Sequence, residues 1–179
     1  MDIILGNHDT YFKNTNELNS LKELQGHYMN EVNIVDKPTV MNYDGLNIGL
    51  LPWIAEDNEE ESLEFINNCN ASILGAHLEL QGFDMSKGMP CMDGMSRQPF
   101  EKFEMVLTGH FHAKSTQGNI HYLGAQMEFF WNDCDDPKYF HILDTETREL
   151  TPIQNPYRIY EKIYYCLLYT SPSPRDGSI

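Results

Sequence analysis

Three short stretches hold the residues best suited to bind a metal: Gly6-Asn7-His8-Asp9, Gly75-Ala76-His77 and Gly109-His110-Phe111-His112. Imidazole nitrogens side by side suit borderline divalent metals, and the neutral amide oxygen of Asn7 suits a site shared with harder oxygen ligands. His110 and His112 are two apart, so on an extended segment they point to the same side while Phe111 faces the opposite way. Each stretch carries its glycine just ahead of the polar residue, where the backbone would turn sharply toward a ligand. Any one of these histidines alone is an ordinary hydrogen-bonded residue. Their appearance together, each after an apolar run, is what points to a common site.

The elements that must position them are legible around them. Residues 2–5 read as a short buried strand that delivers Asn7 and His8 at its carboxyl end, where α/β sheets place their sites. "ASILGAH" and "FEMVLTGHFH" are two further apolar runs ending in glycine and histidine. Leu18, Leu21 and Leu24 predict a helix from Asn16 to about Tyr28. Asp44-Gly45 between two apolar arms predicts a hairpin. Asp57 or Asn58, with Glu60 or Glu61 three residues on, predicts a capped helix that carries Leu63, Phe65 and Ile66. Residues 80–98, rich in Gly, Met and Ser, read as a long loop of the kind that lines a cleft. "NIHYLG" and "YFHILDTETRELTPI" read as strands, the latter a hairpin turning near Thr145–Thr147. There are no internal repeats.

At 179 residues and 41% hydrophobic, the chain can bury one sizeable core. Its formal net charge of −15 opposes loose attraction to nucleic acid or to an anionic membrane surface, so a nucleic-acid role needs local help such as bound metal cations. No run approaches the roughly 18 apolar residues of a membrane span, and the N-terminus lacks a secretory pattern. The expectation is a cytoplasmic protein without a membrane role. Cys69, Cys91, Cys134 and Cys166 show no CxxC spacing and read as free thiols without a role. The fold reading covers residues 1–165, and the aperiodic stretch 166–179 is expected to be a disordered or non-native tail.

With those residues in view, the chain resembles the calcineurin-like metallophosphoesterases. GNHD at 6–9, GAH at 75–77 and GHFH at 109–112 look like the third, fourth and fifth motifs of that superfamily. From "GNHDTYF" to "NPYRIYEKI" the chain resembles the SbcD-type DNA repair nucleases, and among them the recombination endonuclease subunits of large tailed phages, to which "DDPKYFHILDTETRELTPIQNPY" is especially similar. The resemblance implies an α/β fold, a four-layer sandwich of two mixed sheets flanked by helices, whose strand ends hold two Mn²⁺ ions, with Mg²⁺ as the alternative. It implies hydrolysis of phosphodiester bonds in DNA as a metal-dependent endo- and exonuclease, a partnership with an SMC-like ATPase, and a homodimer in the complete protein. A phage-encoded protein would work in the host cytoplasm.

The resemblance also assigns roles. Asn7, His77 and His110 would bind one ion and His112 the other. His8 would assist the departing oxygen, and Asp9 would orient His8 or serve only as a turn cap. The family's DxH and GDxxD motifs have no counterpart before Gly6, so the chain is expected to be a fragment that lacks its N-terminal strands and is inactive or nearly so. Two other readings compete: a metallophosphoesterase acting on nucleotides or phosphoproteins, and a non-catalytic scaffold. Lesser candidates are Lys13 and Lys114 as phosphate contacts, and Tyr11 and Phe12, for which core packing is the expectation. His27, His121 and His141 read as structural, and Trp131 with Asp133, Asp135 and Asp136 reads as a loop.

Overall fold

The computed structural model describes residues 1–28, 31–86 and 88–163. Residues 164–179, and with them Cys166 and the expected tail, lie outside the described residues. In chain order the elements are β1 (Asp2–Ile4), α1 (Ser20–Tyr28), β2 (Asn33–Val35), β3 (Thr39–Tyr43), β4 (Leu46–Leu51), α2 (Glu59–Asn68) and β5 (Ile73–His77), followed by β6 (Asp84–Ser86), β7 (Met89–Pro90), β8 (Met105–Gly109), β9 (Ser115–Gln117), β10 (Ile120–Tyr122), β11 (Tyr139–Leu143) and β12 (Leu150–Gln154).

One six-stranded mixed sheet, in the order β3-β4-β5-β8-β10-β9, forms the centre, and three two-stranded ribbons surround it: β1-β2, β6-β7 and β11-β12. Strands β4, β5, β8 and β10 run parallel, so their carboxyl ends share one edge of the sheet. The α/β class is as expected from the sequence.

Alternation along the central strands decides which residues meet. Leu74 and Ala76 of β5 turn into the core with Val106, Ile66, Phe100 and Phe103. Gly75 and His77 therefore face the opposite side, where Ile4 Cδ1 of β1 lies 3.7 Å from the position a Cβ on Gly75 would take. The register pairs His77 with Gly109, which brings the second and third motifs side by side. Tyr122, almost fully buried, accepts from Leu80 N–H and donates to Leu78 O, tying the chain that leaves β5 to β10.

Local chemistry sets the element boundaries. The first helix begins at Ser20 rather than Asn16, because Asn19 Oδ1 accepts Lys22 N–H at 2.8 Å and acts as its N-cap. The second helix starts at Glu59 with Asn58 as its N-cap, one of the two positions that the sequence offered, and Asn58 Oδ1 accepts Ala55 N–H and closes a 3₁₀ turn over Glu56–Asn58 ahead of it. Asp44 and Gly45 have φ of 49° and 87°, which suits the predicted two-residue hairpin turn. Residues 80–98 are more structured than a plain loop: Leu80, Phe83 and Cys91 are buried, and β6 pairs with β7. Tyr11 and Phe12 correct the core-packing expectation, since both are exposed and lean edge to face on each other at 4.8 Å.

Candidate metal centre

The carboxyl ends of β1, β5 and β8 bring three donors together. Asn7 Oδ1 lies 3.0 Å from His77 Nε2 and 3.2 Å from His110 Nδ1. Two donors about 2.1 Å from one ion and at right angles around it sit about 3 Å apart, so this spacing matches atoms of a single coordination sphere. Burial, and then the proximity of His110, His8 and His112, lowers the His77 pKa to about 4. Burial also lowers that of His110, against an opposing pull from Glu79. Two neutral imidazoles and an amide oxygen form a nitrogen and oxygen donor set suited to a borderline divalent ion. The residues present therefore fit a metal, although no group of three or more His, Cys, Asp or Glu side chains among the described residues is arranged to hold one.

The glycines of the motifs serve a different purpose from the one expected. Gly6, Gly75 and Gly109 do not have positive φ. A Cβ on Gly6 would stand 2.9 Å from His77 Cε1, and one on Gly109 would stand 3.2 Å from His77 Nδ1. The imidazole lies between two side-chain-free positions, and it is space rather than backbone freedom that demands glycine there. His110 itself carries the unusual backbone, with φ of 86°.

That torsion also breaks the extended geometry expected for residues 110–112. His110 reaches Asn7, whereas His112 Nδ1 lies 3.3 Å from Asp133 Oδ2. Phe111 does turn the opposite way, buried against Tyr122 with ring centroids 4.7 Å apart. Both histidines still line one cavity of about 790 Å³, together with Lys114, Phe130 and Asp133.

His8 is exposed at the rim of this cluster. Asp9 Oδ2 accepts Gly6 N–H at 2.7 Å, and no hydrogen bond joins it to His8 among the described residues. Its visible work is to close the turn that carries Asn7 and His8, the turn-cap role. Lys114 is exposed with Nζ 5.1 Å from the Tyr139 ring centroid, and Lys13 is exposed. His121 pairs with Thr116, and His27 and His141 stand away from the cluster on α1 and β11.

Three residues of the site escaped the sequence reading. Trp53 stacks on His110 at 5.4 Å and meets His77 edge-on at 6.0 Å. Its place just past β4, which runs parallel to β5, was the available clue. Glu79 Oε2 lies 3.5 Å from His110 Nε2, and its spacing of two from His77 was a usable signal. Glu79 also borders a cavity of about 310 Å³ shared with His77, Trp53 and Asp93, so the 80–98 segment does line a cleft. Asp133 had no signal in the sequence. Burial alone would raise its pKa, but hydrogen bonds from Phe130 N–H, Lys138, Phe129 N–H and His112 hold it at about 2.

Fold and site together describe an α/β chain whose parallel strand ends gather neutral nitrogen and oxygen donors beside two open cavities. No family model matches the chain. It is similar to "Exonuclease subunit 1" of Enterobacteria phage T4, 38% identical over 162 residues that cover 90% of this chain and 47% of that protein. It is also similar to "Putative phosphoesterase 244L" of Invertebrate iridescent virus 6, 24% identical over 144 residues, 75% of this chain and 48% of that protein. The chain thus spans about half the length of these relatives. The resemblance drawn from GNHD, GAH and GHFH is borne out: the chain is similar to a phage nuclease subunit and to a viral phosphoesterase. No helix among the described residues is long and apolar enough to cross a membrane.

Proposed function

We propose that this chain is the metal-binding part of a phage-type nuclease subunit that hydrolyses phosphodiester bonds in DNA with Mn²⁺, on a four-layer metallophosphoesterase sandwich. The observation that carries this reading is the meeting of Asn7 Oδ1, His77 Nε2 and His110 Nδ1 at the ends of strands from distant parts of the chain. The likeness to an exonuclease subunit supports DNA as the substrate. Asn7, His77 and His110 would hold one ion, and His112 would contribute to a second, whose other ligands the resemblance assigns to its DxH and GDxxD motifs. When bound, such ions activate water and stabilise the charge of an in-line displacement. His8, exposed at the rim, would assist the leaving oxygen of a phosphodiester in this reading. With a net charge of −15, contact with DNA relies on those cations and on a partner subunit, an SMC-like ATPase in this reading, in the host cytoplasm.

The test is the Mn²⁺ content of the purified chain at equilibrium, compared with His77→Ala. About one ion per chain, lost in the variant, is the expected result. No bound ion in either protein would sink the metal reading. The likeness to a viral phosphoesterase keeps a second substrate class in play, nucleotides or other small phosphodiesters. The full-length protein, assayed on DNA and on a small phosphodiester, separates the two.

A further inference from the structure

His112 is held by a closed circuit of bonds that none of the other histidines shares. Lys138 Nζ donates to His112 O at 3.1 Å and to Asp133 Oδ1 at 2.9 Å, while Asp133 Oδ2 lies 3.3 Å from His112 Nδ1. One ammonium therefore grips the backbone of His112, and its partner carboxylate grips the ring. Asp133 Oδ2 also accepts the N–H groups of Phe129 and Phe130, both at 2.9 Å, which fixes the loop that presents it. The Phe130 ring stacks on the His112 imidazole, with centroids 5.4 Å apart and planes 2° from parallel, and so packs against its face.

The circuit is built at a cost. Lys138 and Asp133 are 3% and 6% exposed, and a buried ion pair is a weak source of stability compared with apolar residues of similar size. What such a pair supplies here is geometry. An ionised carboxylate only accepts hydrogen bonds, so the imidazole nitrogen beside it must carry the proton. In the neutral ring His112 Nε2 then keeps its lone pair, and it has no hydrogen-bond partner among the described residues.

We propose that Asp133, braced by Lys138, is the positioning residue of His112: it locks the imidazole in the Nδ1–H tautomer and leaves Nε2 free to bind a divalent cation in the cavity of about 790 Å³. The use of that lone pair rests on the metal reading above, whereas the locked tautomer stands apart from it. Carboxylates that orient metal-binding histidines in this way matter at the level of about 10- to 100-fold in metal affinity.

Long-range ¹H–¹⁵N correlation spectra of the histidine-labelled chain, with His112→Gln to assign the signal, read the tautomer directly. The wild-type chain is expected to show His112 as Nδ1–H. In Asp133→Asn the ring should become a mixture of tautomers with the His77 pattern unchanged, and in the full-length protein the Mn²⁺ concentration that fills the site at His112 should rise about 10- to 100-fold. An Nε2–H tautomer in the wild-type chain overturns the proposal even if the variant fails to fold. An unaltered tautomer or an unaltered Mn²⁺ response in a folded Asp133→Asn overturns it as well. Absence of any Mn²⁺ response at both His77 and His112 would instead remove the metal reading, a result distinct from a wrong tautomer.

Discussion

Two neighbouring parts of the site hold their histidines by opposite means. Around His77 the restraint is shape and neutrality: strand ends set the positions, Gly6 and Gly109 make room for the ring, and the contacts are between uncharged groups. Around His112 the restraint is charge, through the buried Lys138, Asp133 and the partly buried Asp136. A neutral cluster costs little to desolvate and keeps its lone pairs available. A charged clamp is expensive to bury but fixes one orientation.

The contrast is broken most severely by removing one half of the clamp. Lys138→Met leaves Asp133 and Asp136 without their shared cation, and urea unfolding should show a loss of about 3–5 kcal/mol, the cost of stranding a buried charge. No such loss should follow from any single change in the neutral cluster.

Acid separates the two parts by pH window in the metal-free protein. The His77 pKa is about 4 in the folded chain against 6.5 for an ordinary histidine. Between these values the unfolded chain binds a proton that the folded chain refuses, so stability falls as the pH drops from 6.5 toward about 4, by on the order of 3 kcal/mol. Asp133 acts in the same direction but in a lower window: its contribution is complete above pH 3.8 and is lost as the pH falls from there to about 2. Unfolding free energies measured across both windows should lose the first slope in His77→Gln and the second in Asp133→Asn. A single slope that neither substitution alters would mean that the two regions are not distinct.

Space is the next discriminator. Gly6→Ala sets a methyl group 2.9 Å from Cε1 of the His77 ring, and overpacking of this kind costs about 1–3 kcal/mol. Mn²⁺ binding should fall with it in calorimetric titration, while the His112 tautomer stays as it was. The smallest expected change in stability sharpens the comparison from the other side. Asn7→Ala removes contacts between neutral, half-exposed groups and should shift the unfolding free energy by no more than about 1.5 kcal/mol, yet abolish Mn²⁺ binding. A variant that unfolds readily would show that Asn7 holds the fold rather than a metal.

The neutral half of the site was legible because strand ends concentrate its chemistry locally. An apolar run followed by glycine and histidine announces where an imidazole will emerge, and the α/β class follows from the same runs. Both helices were legible in existence; the first was misplaced at its start, since Asn19 caps it in a way that periodicity does not register, while the second begins after Asn58, a cap position the sequence offered. Glu79 was within reach through its spacing from His77. Tyr11 and Phe12 misled, because aromatic character alone does not say which face of a turn is covered.

The sequence alone determined the donor types, their order and the strands that carry them, because hydrophobic alternation and glycine placement act over a few residues. Only the tertiary structure decided how the donors are divided. The positive φ at His110 goes with a ring that reaches Asn7, and the loop between β10 and β11 brings Asp133 to His112 from 21 positions away. Contacts of that range depend on which surfaces the sheet leaves to be covered, and no local pattern of residues encodes that choice.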